Sequence, residues 1–267
     1  MKRGGRDGRS EHIPERDVLL DRTRHTRRGW AKAFYSSLFG WESEDFVPGE
    51  GETYTICRLG KHDVADIHEH SKDEGTGWSS YISVDDVDTT ASRATELGAK
   101  TLMEPFDLAD VSRMSLIQDP AGATVSLWQP TGFIGAGFVN EVGAWSWDEL
   151  VTTDMAASRS FYGDLFGWKA EDVPASIPRA IFTLGDLLIG GVHAPTLQEG
   201  SDSRWTVSFT VADAGESAAL AQELGGKILM APMETPIGTF SVVSDPAGAS
   251  FTLAAVPGGP ARGVDGS

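Results

Sequence analysis

Cysteine is almost missing from this chain: Cys57 is the only one in 267 residues. One thiol excludes an internal disulfide and any paired-cysteine metal site. Long apolar runs are missing too. No stretch approaches the roughly 20 residues that a bilayer-spanning helix needs, and the N-terminus has no signal-peptide apolar core. A cytoplasmic protein with no membrane partner is expected. Positive charge is scarce, since 22 Lys and Arg face 39 Asp and Glu for a net charge of −17. It is also crowded at one end. Residues 1–33 carry ten basic and five acidic residues, and the rest of the chain carries 12 and 34. An acidic body repels phosphate backbones, so nucleic acid is not an expected partner. Neither a G-x-S-x-G elbow, a G-x-x-x-x-G-K-[ST] loop nor an H-E-x-x-H helix occurs. The glycines of 132–143 do not join a strand to a helix within a βαβ unit, which excludes a dinucleotide site there.

What the chain has in abundance is repetition. FYSSLFGW at 34–41 returns as FYGDLFGW at 161–168, a shift of 127. YISVDDVD at 81–88 answers SFTVADAG at 208–215, and ELGAK at 96–100 answers ELGGK at 223–227, both again at 127. DPAGA at 119–123 recurs at 245–249, a shift of 126, while His68 and His193 match at 125. So small a drift means two copies of one fold. The expected organisation is a disordered basic tail over 1–17, a first module over 18–131 and a linker over 132–143. A second module over 144–257 and a flexible tail over 258–267 complete it.

Local signals give each copy its elements. Asp154 is a helix cap, Phe161, Tyr162, Leu165 and Phe166 share one helix face, and Gly167 ends the helix. A second helix starts at Asp213, with Glu216 in capping-box position, and stops near Gly225. RAIFTL, LLIGGV, TVSFTV, TFSVVS and ASFTLAAV read as strands. DPAG suits a type I turn joining the last two of them. Each copy is thus expected to run β-α-β-β-β twice, an α+β fold whose helices cover one face of a sheet. The first copy breaks the pattern at its start, where LDRTRHTRRGWA (20–31) stands against WDELVTTDMAAS. Arginines replace the apolar alternation, which predicts a lost or replaced strand, or a sequence altered by a shifted frame. That segment is expected to pack poorly.

FYxxLFGW, a strand-to-helix D-V-D step and a closing DPAGA hairpin, in order and twice over, resemble the vicinal oxygen chelate superfamily. That superfamily includes glyoxalase I, extradiol dioxygenases, fosfomycin-inactivating enzymes and bleomycin-resistance proteins. The resemblance covers about 34–130 and 144–256. It implies tandem βαβββ units, their sheets curled into half-open barrels around a cavity. It also implies a divalent metal held by His, Gln or Glu at set strand positions. Carried onto this sequence, those positions fall on Ser79, Ser126, Trp147, Thr206 and Thr252. Hydroxyls and an indole are not the imidazoles and carboxylates that zinc, iron or manganese take. No metal site and no cofactor is therefore expected. HDVADIHEH gathers His62, His68 and His70, but as a strand running into a loop it reads as exposed histidines.

Trp145, Trp147 and Glu149 alternate along one strand, and Ser126 and Trp128 along another, so each set is expected to share a face. Indole planes beside small hydroxyls suit a flat organic ligand. The expected ligand-binding residues are Trp145, Trp147, Thr206, Thr252, Ser79, Ser126, Trp128 and His68, with Glu149 and His193 as acid–base candidates. The reading is a metal-independent protein, monomer or homodimer, binding a small aromatic molecule for antibiotic sequestration or a natural-product pathway step. The alternative is a metal-dependent lyase or dioxygenase of glyoxalase type with non-standard ligands. A third reading keeps the metal out and makes Glu149 or a histidine a general base.

Overall fold

The computed structural model describes residues 19–24, 28–47, 53–68, 76–108, 111–132, 138–196 and 202–257, with side chains from residue 28 onward. The tails expected over 1–17 and 258–267, and His70, lie outside the described residues. The first copy runs β1 (Leu19–Arg24), α1 (Arg28–Phe39), β2 (Glu42–Phe46), β3 (Tyr54–Leu59) and β4 (His62–His68). It continues through β5 (Gly77–Ser83), α2 (Val87–Glu96), β6 (Lys100–Leu108), β7 (Ser112–Gln118) and β8 (Thr124–Pro130). The second copy repeats the order as β9 (Trp145–Val151), α3 (Met155–Phe166), β10 (Lys169–Asp172), β11 (Arg179–Leu184) and β12 (Leu187–His193). β13 (Arg204–Thr210), α4 (Ala214–Glu223), β14 (Lys227–Thr235), β15 (Gly238–Ser244) and β16 (Ser250–Ala255) complete it. Each copy forms one eight-stranded sheet, in the orders β2-β3-β4-β1-β5-β8-β7-β6 and β10-β11-β12-β9-β13-β16-β15-β14. Two βαβββ units per sheet meet at an antiparallel central pair, β1 with β5 and β9 with β13.

The caps work as the sequence requires. Asp154 accepts from the Ala157 amide at 2.9 Å, and Gly167 closes α3 at φ 74°, a left-handed conformation that glycine takes without a Cβ penalty. Asp213 Oδ1 accepts from the Gly215 and Glu216 amides at 2.7 and 2.8 Å. The first strand, expected to be lost or replaced, is present. The backbone of Leu19–Arg24 pairs with β4 on one side and β5 on the other. Its register places Arg22 opposite Asp66 and Ser79, where Glu149 stands opposite Gly191 and Thr206 in the second copy. Backbone pairing on both edges holds a strand in place even where its sequence lacks apolar alternation.

The repeated octapeptide fastens the modules to one another. α1 packs beside α4 and α3 beside α2, so each FYxxLFGW helix lies on the partner copy. Tyr35 donates its hydroxyl to Asp245 at 2.9 Å, and Tyr162 donates to Asp119 at 3.1 Å. Those aspartates open the two DPAGA turns. The backbone of each turn is closed by its own aspartate, whose Oδ1 accepts from Ala123 in one and from Ala247 and Ala249 in the other. Trp41 stacks on Tyr35 (ring centroids 5.4 Å apart) and Trp168 on Tyr162 (5.6 Å). Phe39 reaches across to Phe209 at 5.0 Å. One continuous apolar core therefore runs through the helix faces of both sheets, and each sheet turns its other face away from it.

Candidate functional site

The faces away from the core are read by alternation. Along β13, Trp205, Val207 and Phe209 enter the core, which leaves Thr206 and Ser208 on the open face. Along β16, Phe251 and Leu253 enter the core, leaving Thr252 and Ala254. Along β9, Leu150 enters the core, Asp148 is fully buried beside it, and Trp147 and Glu149 face the other way, half-buried. Pairing sets Ser208 between Trp147 and Thr252, and Thr206 beside Glu149. The expected residues Trp147, Thr206 and Thr252 are thus brought together. Trp145 is a correction. A register shift between Ser208 and Phe209 turns it into the core, where its indole N–H donates to Asp148 at 2.6 Å.

Glu149 is the centre of the polar end. Its carboxylate forms an ion pair with Arg179 on β11. Its other oxygen lies 3.8 Å from Nε2 of His193, the last residue of β12. His193 donates from Nδ1 to the carbonyl of Ala194 at 2.9 Å, which turns Nε2 toward the carboxylate. Thr206 Oγ1 donates to the Glu149 backbone carbonyl at 3.1 Å. Gly191, opposite Glu149 on β12, leaves room for the acid: a Cβ there would sit 2.4 Å from Glu149 Oε1. Arg179 and Gly191 were not among the residues expected from sequence. Arg179 pairs across the β11–β12 hairpin with His193, so counting back from the Gly185–Asp186 turn comes within a residue of it.

The corresponding face of the first module differs at two decisive places. Tyr81 and Trp128 stand where the second module has Ser208 and Ala254. They pack edge-to-face (centroids 5.6 Å apart) and join Met114 in a cluster closed by Phe106, Leu108 and Val111. Trp128 is 1% exposed. The expected stacking surface at Trp128 is therefore consumed internally. In the second module, Phe240 occupies the position of Met114 and Met233 that of Phe106. With only Ser208 and Ala254 to cover them, Phe240 is half-buried and Met233 is 50% exposed. That half of the face is open. Ser79 is half-buried, and Ser126 is sealed with its hydroxyl unpartnered among the described residues. His68 lies 3.3 Å from Asp66 through Nδ1, with the Tyr54 ring 5.4 Å away. His62 stacks on Phe138 at the opposite end of β4.

Does this donor set fit the divalent metal that the fold implies? At the strand positions in question, Thr206 spends its hydroxyl on a carbonyl, Trp147 offers an indole, and Thr252 and Ser126 offer one hydroxyl each. Glu149 and His193 are two suitable donors, but a guanidinium holds the carboxylate. Among the described residues no three His, Cys, Asp or Glu come together in a way that could hold a metal ion. The residues do not fit the group. No helix among the described residues is long and apolar enough to cross a membrane.

A family model described as Glyoxalase/Bleomycin resistance protein/Dioxygenase superfamily matches residues 30–127 and 144–253. Among curated proteins, "Putative glyoxylase CFP32" of Mycobacterium bovis is 38% identical over 85% of this chain and 90% of its own length. "Anthracycline biosynthesis protein DnrV" of Streptomyces peucetius is 30% identical over 82% and 86%. The 2,3-dioxygenase LapB of Pseudomonas sp. KL28 superposes with a TM-score of 0.62 at 14% identity, covering 94% of this chain and 95% of that one. The Mn(II)-bound glyoxalase of Novosphingobium aromaticivorans gives 0.62 at 15%, covering 91% and 82%. At such identities the two structures speak for the fold alone.

Proposed function

The chain belongs to the Glyoxalase/Bleomycin resistance protein/Dioxygenase superfamily, and from that premise we propose that it binds a flat aromatic molecule on the open face of its second module without a metal ion. One observation carries the reading: where the first module is filled by Tyr81 and Trp128, the second has Ser208 and Ala254, which leave Trp147, Phe240 and Met233 accessible around a polar end. An indole face and an apolar strand surface bind a planar ring system by stacking and burial. Small hydroxyls at Thr206, Ser208 and Thr252 line the floor. Two relatives carry anthracycline biosynthesis in their names, and anthracyclines are polycyclic aromatics, which supports a ring-binding reading; two others carry glyoxylase in theirs. The ligand is held either for sequestration or for a pathway step. In the second case Glu149 and His193 are the groups we assign to proton transfer. The reading takes the protein to act in the cytoplasm, alone or as a homodimer.

The test is a titration of the metal-free, chelator-treated protein with 1,4-naphthoquinone and 9,10-anthraquinone-2-sulfonate, followed by quenching of tryptophan fluorescence. The expected result is saturable binding that Trp147→Ala weakens by about tenfold or more, the worth of a stacked, desolvated ring, while the melting temperature is kept. Unchanged affinity in Trp147→Ala, or binding that appears only after a divalent metal is restored, would refute the reading.

A further inference from the structure

The two modules set a carboxylate beside the matched histidine by different routes, at Nε2 of His193 in the second and at Nδ1 of His68 in the first. In the second, Glu149 leaves β9 and lies across its neighbour β12 over the bare Cα of Gly191. A Cβ at Gly191 would meet Glu149 Oε1 at 2.4 Å, Cγ at 2.8 Å and Cδ at 3.0 Å, so the Glu149 side chain would have to leave this position. So placed, the carboxylate sits between Arg179 and His193. In the first module the position of Gly191 is Asp66, which carries its own carboxylate to His68 at 3.3 Å. The residue at the position of Glu149 is then Arg22, by backbone register. Acid and glycine on adjacent strands in one copy have become arginine and acid in the other. A carboxylate beside the matched histidine, His68 or His193, is present in both arrangements, although the acid comes from a different strand in each.

The Glu149 carboxylate, 20% exposed, borders the open half of the second module, two residues along β9 from Trp147 and so on the same side. A carboxylate held by one guanidinium retains lone pairs for further hydrogen bonds and accepts only from a donor. The flat surface beside it offers apolar contact and hydroxyls.

We infer that Glu149 reads a hydroxyl on the aromatic ligand, and that Gly191 is the positioning residue that lets it do so. The inference rests on the binding reading above and narrows its ligand class to phenols and hydroxyquinones. Planar rings lie against Trp147, and a ring hydroxyl donates to the carboxylate.

The experiment compares 2,6-dihydroxyanthraquinone with its dimethyl ether, 2,6-dimethoxyanthraquinone, by fluorescence titration of the full chain. The ether keeps the ring system and loses the donors. The native protein is expected to favour the phenol by about tenfold or more, the worth of a hydrogen bond to a charged acceptor. Glu149→Gln and Gly191→Ala each reduce that preference to less than about threefold. Glu149→Arg removes the preference, and Glu149→Arg with Gly191→Asp, the arrangement of the first module, restores it. Melting curves establish that each variant folds, and Glu149→Gln, which adds no bulk, carries the test if Gly191→Ala does not. Equal native affinity for phenol and ether, or a preference untouched by Glu149→Gln, overturns the inference while leaving ring binding at Trp147 intact. Absence of binding by both compounds, with Trp147→Ala also silent, overturns the binding reading itself.

Discussion

Asp148 is a carboxylic acid sealed inside the molecule, fully buried, with the Trp145 indole N–H on one oxygen. Burial disfavours its charged form and pushes its pKa up to about 7, against the lowering effect of its hydrogen bonds. In the unfolded chain the same group titrates near the ordinary aspartate value. The folded state therefore binds more protons than the unfolded state from about pH 4 to about pH 7, and stability falls as pH rises through that window. Asp148→Asn keeps the shape and the acceptor and removes the charge. Its melting temperature should gain on the native protein between pH 5 and pH 8, by a few degrees. Equal shifts at both pH values in a scanning-calorimetry series would contradict this account of Asp148. The hydroxyls of Tyr35 and Tyr162 are likewise pushed well above the phenol range, by burial first and by Asp245 and Asp119 second. They remain protonated donors at every pH at which the fold survives.

Helices α1 and α3 each carry one hydroxyl that reaches a turn of the other module, and this makes the lock separable from the core. Tyr35→Phe or Tyr162→Phe keeps the ring stacking and removes a donor to a buried carboxylate, a loss of roughly 1.5–3 kcal/mol each. Urea denaturation should show both losses, and the double variant should show about their sum, since the two contacts share no partner. The plug on β5 and β8 behaves differently. Trp128→Ala should cost about 3–5 kcal/mol as a large-to-small change in a sealed cluster, without altering ligand affinity in the second module. Most of these elements are legible in the sequence, because caps such as Asp154 and turns such as DPAG act locally. β14 has a place in the expected order but no clear strand signal of its own, since Pro232 interrupts KILMAPMET and most of its side chains are exposed. An edge strand tolerates both features. β1 is hidden for the converse reason: arginines stand where apolar residues belong, yet β4 and β5 pair with its backbone.

At the scale of the whole molecule, a duplicated fold has kept its mutual fastening and let its two open faces diverge. The site is less legible than the fold because it depends on contacts between strands far apart in sequence. Nothing in the motif order places Arg179 against Glu149, and only a missing Cβ at Gly191 explains where that carboxylate lies. Trp145 shows the same limit, since a one-residue register shift moves an indole from the open face to the core. Divergence also sets the stoichiometry: the first face is closed by Tyr81 and Trp128, so the chain should take up one aromatic ligand, not two. Calorimetric titration of chelator-treated protein with 2,6-dihydroxyanthraquinone tests this most directly. The account predicts one site per chain, unchanged when zinc, manganese or iron(II) is added back, and lost in Trp147→Ala. Two equivalent sites, or heat of binding only in the presence of one of those metals, would contradict it.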